Sequence, residues 1–231
     1  IAQSGRPGPV LIDIPKDVTA NMAEYEPMKI EPVKKYKKDI CMEDVEQALQ
    51  MIREAQKPYI FVGGGAILSD ASEELRAFVE KVQAPVCDTL MGKGAFPGTD
   101  ELYTGMRGMH GTKTSNFGVS GCDLLIVIGA RFSDRVTGNA KRFAEKAKIL
   151  QIDIDVAEMN KNVMIDCGVV GDIKEVLTLI NERLPKQNHD EWIRKIQEYK
   201  QKYPLTYHPD ILTGPFVVEE IYRQTKGEAL I

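Results

Sequence analysis

The sequence predicts an α/β fold: a doubly wound, mostly parallel sheet of six strands with helices on both faces. Two features of the sequence lead to this prediction. Short apolar runs alternate along the chain with segments of helical periodicity, and most connections between them are short. The run Leu124–Ile128 consists of five aliphatic residues without polar alternation, which is typical of a strand buried on both faces of a parallel sheet.

The other predicted strands are short apolar runs at residues 10–14, 59–62, 85–89, 149–152 and 168–170. The stretch 90–111 has neither a helical nor a strand period, and it is rich in glycine and methionine. A long irregular stretch with this much apolar content predicts a structured, functional loop rather than a disordered one.

Helices are predicted between the strands from apolar residues that recur every three or four positions. Two of them begin with capping boxes, Asp70 with Glu73 and Asp172 with Glu175. The other helices are predicted from residue 42, over 112–121, over 189–203 and from residue 214.

The composition argues against a nucleic-acid-binding protein and against a membrane protein. The chain carries 30 Lys and Arg against 34 Asp and Glu, and its net charge of −4 gives no general attraction to nucleic acid or to an anionic membrane. No run approaches the roughly 18 apolar residues that a membrane span needs. The four cysteines, Cys41, Cys87, Cys122 and Cys167, form no Cys-x-x-Cys pair, so we expect buried, reduced thiols in a cytoplasmic protein.

The residues after Leu124–Ile128 are the first candidate site, because ligands of doubly wound sheets bind outside the carboxyl ends of the strands. Gly129 would let a ligand approach the backbone, and Arg131 and Arg135 carry guanidinium groups suited to phosphate. An ordinary strand-to-helix loop with two solvated arginines explains the same residues. The sequence alone favours neither interpretation.

A triple glycine at 63–65 follows another predicted strand. Such a turn allows backbone N–H groups to face a phosphate at the start of a helix. The dinucleotide fingerprint Gly-x-Gly-x-x-Gly is incomplete, because Leu68 occupies its third glycine position. Asp88 lies about twenty residues further on, where dinucleotide-binding folds carry the acid that binds ribose. Either a nucleotide site or a tight structural turn fits these residues.

Two residue pairs could contact a cofactor. Asp153 and Asp155 lie two apart at the end of a predicted strand, where they would face the same side. They could hold a metal or ribose hydroxyls, or simply lie in solvent. Met109 and His110, flanked by glycines, could line a flat cofactor or pack on their own sheet.

Catalytic motifs of serine hydrolases, zinc proteases and P-loop enzymes are absent from the sequence. The other two histidines, His189 and His208, lie in or near a polar tail and are predicted to be solvated.

Seven short motifs occur along the chain: GRPGPVLIDIPKDV at 5–18, VGGG at 62–65, GKGAFP at 92–97, GMHGT at 108–112, GARFSDRVTG at 129–138, DID at 153–155 and GD at 171–172. In this order and spacing they resemble the large, catalytic subunits of acetolactate synthase (acetohydroxyacid synthase), a family of thiamine diphosphate-dependent enzymes. The resemblance covers essentially the whole chain, and the combination of motifs is highly specific.

The resemblance implies a domain organisation. Residues 1–18 would close a pyrimidine-binding domain, and 19–39 would be an extended linker. Residues 40–185 would form a Rossmann-like central FAD-binding domain, 186–226 a helical linker segment, and 227–231 the start of a diphosphate-binding domain. The sequence begins with Ile1 rather than Met, and we expect it to be a fragment of a longer protein.

The family condenses two pyruvates, or pyruvate and 2-oxobutanoate, to 2-acetolactate or 2-aceto-2-hydroxybutanoate with release of CO2, in branched-chain amino acid biosynthesis. The full enzyme uses thiamine diphosphate, Mg2+ and FAD. Its activating glutamate would lie before Ile1 and its Gly-Asp-Gly magnesium motif after Ile231, so we expect no catalytic residue, no metal ligand and no activity in this chain alone. The resemblance also implies a homodimer or homotetramer of the full-length subunit and a small regulatory subunit, with no nucleic-acid or membrane partner.

The resemblance assigns FAD contacts to residues spread over the chain. They are Arg6, Gly64, Gly65, Thr89, Leu90, Met109, His110, Gly111, Thr112, Gly129, Ala130, Arg131, Asp134, Arg135, Val136, Asp153, Ile154, Gly171 and Asp172. Lys16, Met109 and Arg135 match positions that line the substrate channel in the family.

Two residues depart from the family pattern: Arg107 stands where an aliphatic residue is expected, and Ser133 where aspartate is expected. Two other functions stay open. The chain could be the flavin-free structural middle domain of another thiamine diphosphate-dependent decarboxylase or carboligase. It could also be an independent NAD-dependent enzyme, although the incomplete glycine fingerprint and the lack of a catalytic His or Lys constellation count against this function.

Overall fold

The computed structural model describes residues 2, 5–27, 39–208 and 210–229. Its centre is a six-stranded sheet in the order β3-β2-β1-β4-β5-β6, and every neighbouring pair of strands is parallel. The strands are β1 (Pro58–Val62), β2 (Val86–Asp88), β3 (Tyr103–Met106), β4 (Leu124–Ile128), β5 (Lys148–Asp153) and β6 (Cys167–Val170). The predicted doubly wound α/β fold is confirmed.

Helices cover the sheet on both faces. On one face, α2 (Met42–Glu54), α4 (Ser72–Val82) and α7 (Ile173–Arg183) share an apolar cluster with alternate residues of the strands. On the other face, α5 (Lys113–Gly121) and α8 (Asp190–Lys202) contribute to a second cluster. The remaining α-helices of the described residues are α1 (Lys16–Ala20), α3 (Gly64–Leu68), α6 (Asp134–Thr137) and α9 (Gly214–Thr225).

The central strand is β4, which is buried on both faces as predicted. It lies between β1 and β5, and its Leu124 is aligned with Lys148 of β5. Leu124, Ile126 and Ile128 belong to the first apolar cluster, whereas Leu125 and Val127 belong to the second. The strand therefore joins the two cores, which explains why its sequence shows no polar alternation.

Two secondary-structure assignments from the sequence are wrong. Residues 10–14 form no strand, and Leu11 is 93% exposed. An apolar run becomes a strand only where a neighbouring strand completes its backbone hydrogen bonds. The sixth strand is instead β3, which lies inside the stretch 90–111 that the sequence assigns to a loop. β3 buries the polar Thr104 and contains Gly105 at φ 94°, so it lacks the apolar pattern of a strand.

One of the two predicted helix caps is confirmed. Asp172 Oδ1 accepts hydrogen bonds from the backbone N–H groups of Lys174 (3.0 Å) and Glu175 (3.3 Å) at the start of α7. The predicted Asp70–Glu73 capping box is wrong, because Asp70 has a left-handed conformation (φ 52°) and lies outside α4. Its carboxylate lies 3.4 Å from Lys174 Nζ instead.

Helix α8, which the sequence predicts over 189–203, packs against the sheet through Trp192. Trp192 Nε1 donates a hydrogen bond to the Pro58 carbonyl oxygen (3.0 Å). The expectation that His189 is solvated is wrong. Its ring is buried, with Nδ1 2.7 Å from the Val82 carbonyl oxygen and Nε2 3.1 Å from the Ala55 carbonyl oxygen. His189 therefore connects the ends of α2 and α4 to the start of α8.

The segments that flank the sheet are less buried. Helix α9 begins at Gly214 as predicted and has no buried residue among those described. His208 is exposed, as predicted. Residues 22–27 of the predicted linker form neither helix nor strand, and its residues 28–38 lie outside the described part of the chain. None of the helices described is both long enough and apolar enough to span a membrane. The domain boundaries implied by the resemblance stay predictions.

We expect one cysteine to react rapidly with Ellman's reagent in the native chain and three to react only after unfolding. All four thiols are free, but Cys41 is exposed, contrary to the prediction that the cysteines are buried. Burial raises the pKa of the Cys122 thiol to about 12 and that of Cys167 to about 11, and it raises the pKa of Cys87 as well. Little reactive thiolate is therefore present near neutral pH. Two or more fast thiols would contradict this burial pattern.

Candidate functional site

The loops that follow the six strands lie at one edge of the sheet, here called the carboxyl edge, because all strands are parallel. The strand order reverses between β1 and β4, and α/β folds bind ligands in the crevice at such a point. The hydrogen-bond ladder continues into the loops: Gly63 N donates to Ile128 O (2.8 Å), and Gly129 N donates to Ile152 O (2.9 Å). The loops after β1, β4 and β5 are therefore held side by side.

Glycines allow the loops after β1 and β4 to touch backbone to backbone. A Cβ atom built on Gly129 would lie 2.7 Å from Gly65 Cα, and one built on Gly63 would lie 2.3 Å from Gly129 O. Gly65 N also donates to Gly129 O (3.0 Å). The amides of Gly63 and Gly65 are thus used within the protein, which favours the interpretation of the triple glycine as a tight structural turn.

The loop after β4 directs its charged side chains outward. Arg131, Asp134 and Arg135 are exposed, whereas Ala130 and Val136 are buried and anchor the loop. Since this loop follows the central strand at the crevice, two guanidinium groups are available there for an anionic ligand.

The loop after β3 folds back onto the loop after β4. Met109 N donates to Arg135 O (3.0 Å), and a Cβ atom on Gly108 would lie 2.5 Å from the same oxygen. At the end of this loop, Thr112 caps α5 by accepting a hydrogen bond through its side chain. Met109 and His110 are exposed between these two anchors.

Apolar side chains are exposed along the carboxyl edge. Leu90 is 70% and Met91 75% exposed after β2, and Met109 is 73% exposed after β3. Ile154 and Val156, after β5, are exposed as well. Exposed apolar groups beside arginines are typical of a surface that binds a ligand with both flat rings and anionic groups.

Carboxylates follow β5 and β6. Asp153 ends β5, and its side chain is buried. Asp153 Oδ1 accepts a hydrogen bond from Asp155 N (3.0 Å). Burial raises the pKa of the Asp153 carboxyl. Asp155 lies in a turn beyond the strand, so the strand alternation assumed for this pair is wrong. Asp172 uses Oδ1 to cap α7. Among the described residues, no group of three or more His, Cys, Asp or Glu side chains could hold a metal ion.

Arg6 contacts the same edge from the amino-terminal segment. Its Nη1 lies 3.3 Å from Asp155 Oδ2 and 2.9 Å from Glu158 Oε1. Glu158 is buried, and its Oε1 also lies 3.1 Å from Lys161 Nζ. Arg6 thus neutralises acids of the loop after β5. Lys16, the predicted channel residue, lies in α1, which has no buried residue.

The residues that depart from the family pattern fit their surroundings differently. The Arg107 guanidinium lies 5.5 Å from the centroid of the Phe143 ring, and its Nη1 donates to Asn116 Oδ1. Arg107 is half-buried, although an aliphatic residue is expected at this position. Its guanidinium stacks on an aromatic ring, and the methylene groups of its side chain are apolar, so the arginine fits these surroundings. Ser133 precedes α6 as its N-cap residue without a side-chain cap bond, so the structure gives its hydroxyl no capping role.

The predicted FAD residues differ in their exposure. Exposed or half-exposed are Arg6, Gly64, Gly65, Thr89, Leu90, Met109, His110, Gly111, Thr112, Gly129, Arg131, Asp134, Arg135, Ile154 and Asp172; buried are Ala130, Val136, Asp153 and Gly171. All but Arg6 lie at the end of a strand, in the loop after it or at the start of the next helix. Their contacts with FAD stay predictions.

Sequence reasoning missed four features of this edge: the exposed Met91 and Val156, the buried Glu158, and the side-chain partners of Asp88. Met91 and Val156 adjoin predicted contact residues, a signal that could have found them. Asp88 Oδ2 accepts a hydrogen bond from the Tyr103 hydroxyl (2.8 Å). The carboxylate is therefore already engaged, which argues against the ribose-binding role considered for it.

Residues 45–180, which contain the whole sheet, match the family model described as thiamine pyrophosphate enzyme, central domain. The chain belongs to this family.

Within the family, the chain is similar to acetolactate synthase large subunits. It is 45% identical over 217 residues to the acetolactate synthase large subunit of Parasynechococcus marenigrum and 42% identical over 240 residues to that of Corynebacterium glutamicum. It is 47% identical over 209 residues to the probable acetolactate synthase large subunit of Methanocaldococcus jannaschii. These matches cover 90%, 100% and 87% of this chain but 35%, 38% and 35% of the relatives. The resemblance seen in the motifs is confirmed, and the chain spans little more than a third of these relatives' length.

Proposed function

We propose that this chain is the FAD-binding central portion of an acetolactate synthase. One observation carries the proposal: at the carboxyl edge, exposed apolar side chains and exposed arginines lie on loops that converge where the strand order reverses. Apolar side chains that are exposed together in this way are typical of binding surfaces.

The chemistry of these side chains fits FAD. Leu90, Met91 and Met109 offer apolar surface to flat rings, and Arg131 and Arg135 offer charge-assisted hydrogen bonds to the diphosphate. The Asp153 carboxylate can accept hydrogen bonds from ribose or ribityl hydroxyls. Bound FAD would supply a redox-capable ring system, and the part proposed for these residues is to bind and orient it.

The activity of the whole enzyme is a proposal that rests on the relatives. It is the condensation of two pyruvates, or of pyruvate and 2-oxobutanoate, with release of CO2. Thiamine diphosphate and Mg2+ would be held by other parts of a full-length catalytic subunit. We propose a cytoplasmic homodimer or homotetramer of that subunit, joined by a small regulatory subunit.

In the full-length protein, Arg131→Ala is expected to raise the Kd for FAD by about ten- to a hundredfold, because one charge-assisted hydrogen bond is worth roughly 1.5–3 kcal/mol. Titration of the apoprotein with FAD, followed by flavin fluorescence, measures this change. The matched control is Arg194→Ala, which removes an exposed arginine from α8. Unchanged affinity in Arg131→Ala would remove Arg131 from the site. A colourless wild-type protein that binds no added FAD would favour the flavin-free middle domain.

A further inference from the structure

Asp88, Lys93 and Tyr103 form a polar network at the carboxyl edge. Asp88 ends β2 and is 4% exposed. The Tyr103 hydroxyl, from the edge strand β3, donates to Asp88 Oδ2 (2.8 Å). Lys93 Nζ lies 3.5 Å from Asp88 Oδ1 and donates to the Tyr103 hydroxyl oxygen (3.1 Å). The network thus joins the end of β2, the start of β3 and the residue that follows the turn 89–92.

The turn 89–92 is pressed against the end of β1. Thr89 N donates to Val62 O (2.9 Å), and Thr89 Oγ1 accepts a hydrogen bond from Gly92 N (3.0 Å). A Cβ atom built on Gly92 would lie 2.4 Å from Val62 O. The backbone of the turn is therefore fixed beside the crevice, while its side chains Leu90 and Met91 remain exposed.

The charges of the network hold the far end of this turn. Burial raises the pKa of the Asp88 carboxyl, whereas the Tyr103 hydrogen bond and the Lys93 charge lower it. A buried carboxylate needs such partners, because an unpaired one is costly to desolvate. Asp88 precedes the turn and Lys93 follows it, so the ion pair between them links the two ends of the turn.

We propose that the Asp88–Lys93–Tyr103 network is a positioning device that holds Leu90 and Met91 in place for bound FAD. This inference rests on the proposed function. The three side chains act through the turn and need not touch the cofactor, since preorganised contact residues lose less conformational freedom on binding.

The test uses Lys93→Met and Tyr103→Phe in the full-length protein, because both variants keep the apolar bulk of the side chain. Each is expected to raise the Kd for FAD by about tenfold and to weaken the visible circular dichroism of the bound flavin. Because each change removes a partner of the buried Asp88 carboxylate, the urea midpoint of the apoprotein is expected to fall as well, so the circular dichroism is recorded at saturating FAD. Lys93→Arg keeps the positive charge and should restore the affinity. The control Lys195→Met removes the exposed Lys195–Glu198 pair (2.8 Å) of α8 and should leave FAD binding unaltered.

The possible results distinguish the positioning role of the network from the proposed FAD site itself. Wild-type affinity in both Lys93→Met and Tyr103→Phe would overturn the positioning role and leave the proposed FAD site intact. Weaker binding with an unchanged circular dichroism of the flavin at saturating FAD would assign the network to general stability and would also overturn the inference. A wild-type protein that binds no FAD would overturn the proposed function together with this inference.

Discussion

Gly129→Ala is expected to lower the free energy of unfolding by roughly 3–5 kcal/mol and to abolish FAD binding. Gly129 adopts φ 59°, a left-handed conformation that costs other residues about 1–2 kcal/mol. The added methyl group would also lie 2.7 Å from Gly65 Cα and 2.9 Å from Ala66 N. These neighbours belong to the backbone of a packed turn and cannot rotate away, so the loops after β1 and β4 must separate.

Gly138→Ala is a control for backbone strain without a steric clash. Gly138 also has a positive φ (61°), with ψ −112°, at the other end of the same connection, but a Cβ atom there would meet no atom within 4 Å. Because residues other than glycine are strained in this conformation, we expect a loss of about 1–3 kcal/mol, from strain alone. Urea unfolding of both variants compares strain alone with strain plus the contact between the two loops. Equal losses would show that this contact contributes nothing beyond the strain.

The elements that could be predicted from the sequence are those whose pattern is local. Helices α2, α4 and α7 repeat apolar residues at helical spacing, and β1 and β4 are runs buried on both faces. Each pattern is complete within about a dozen residues, and burial of that apolar surface stabilises the element directly.

Strand β3 could not be predicted because its burial depends on polar partners far away in sequence. The Tyr59 hydroxyl lies 2.6 Å from Thr104 Oγ1, which in turn lies 2.9 Å from Ser115 Oγ and donates to Val86 O (2.9 Å). Because a buried threonine is polar, it does not add to an apolar strand pattern, and the sequence therefore favours a loop at this position. The run at 10–14 is the converse case, since its apolar residues lack a neighbouring strand in the described part of the chain.

In the candidate site, too, local features could be predicted from the sequence, whereas contacts between distant residues could not. The glycines and arginines after β4 could be recognised from their position at the end of a buried strand. The pairing of Arg6 with Glu158 spans 152 positions, and only the folded chain brings these side chains together. The Asp88–Tyr103 bond likewise depends on the register of β2 with β3, a strand that the sequence does not reveal.

His189→Ala is expected to lower the free energy of unfolding by roughly 3 kcal/mol or more. The substitution removes a buried ring and leaves the carbonyl oxygens of Val82 and Ala55 without this partner. Both carbonyls lie at the ends of helices that α8 must meet, so the start of α8 should loosen from the sheet. Trp192 is the only tryptophan of the chain and lies in α8, so a red shift of its fluorescence reports the loosening.

His208→Ala is the control, because His208 is exposed and its loss should change stability by less than about 0.5 kcal/mol. For a chain of 231 residues, the expected loss in His189→Ala corresponds to a fall in Tm of about 6–12 °C. Thermal unfolding followed by circular dichroism measures both variants in parallel. A His189→Ala protein with the Tm and the tryptophan spectrum of wild type would show that the buried ring is not needed to hold α8 against the sheet.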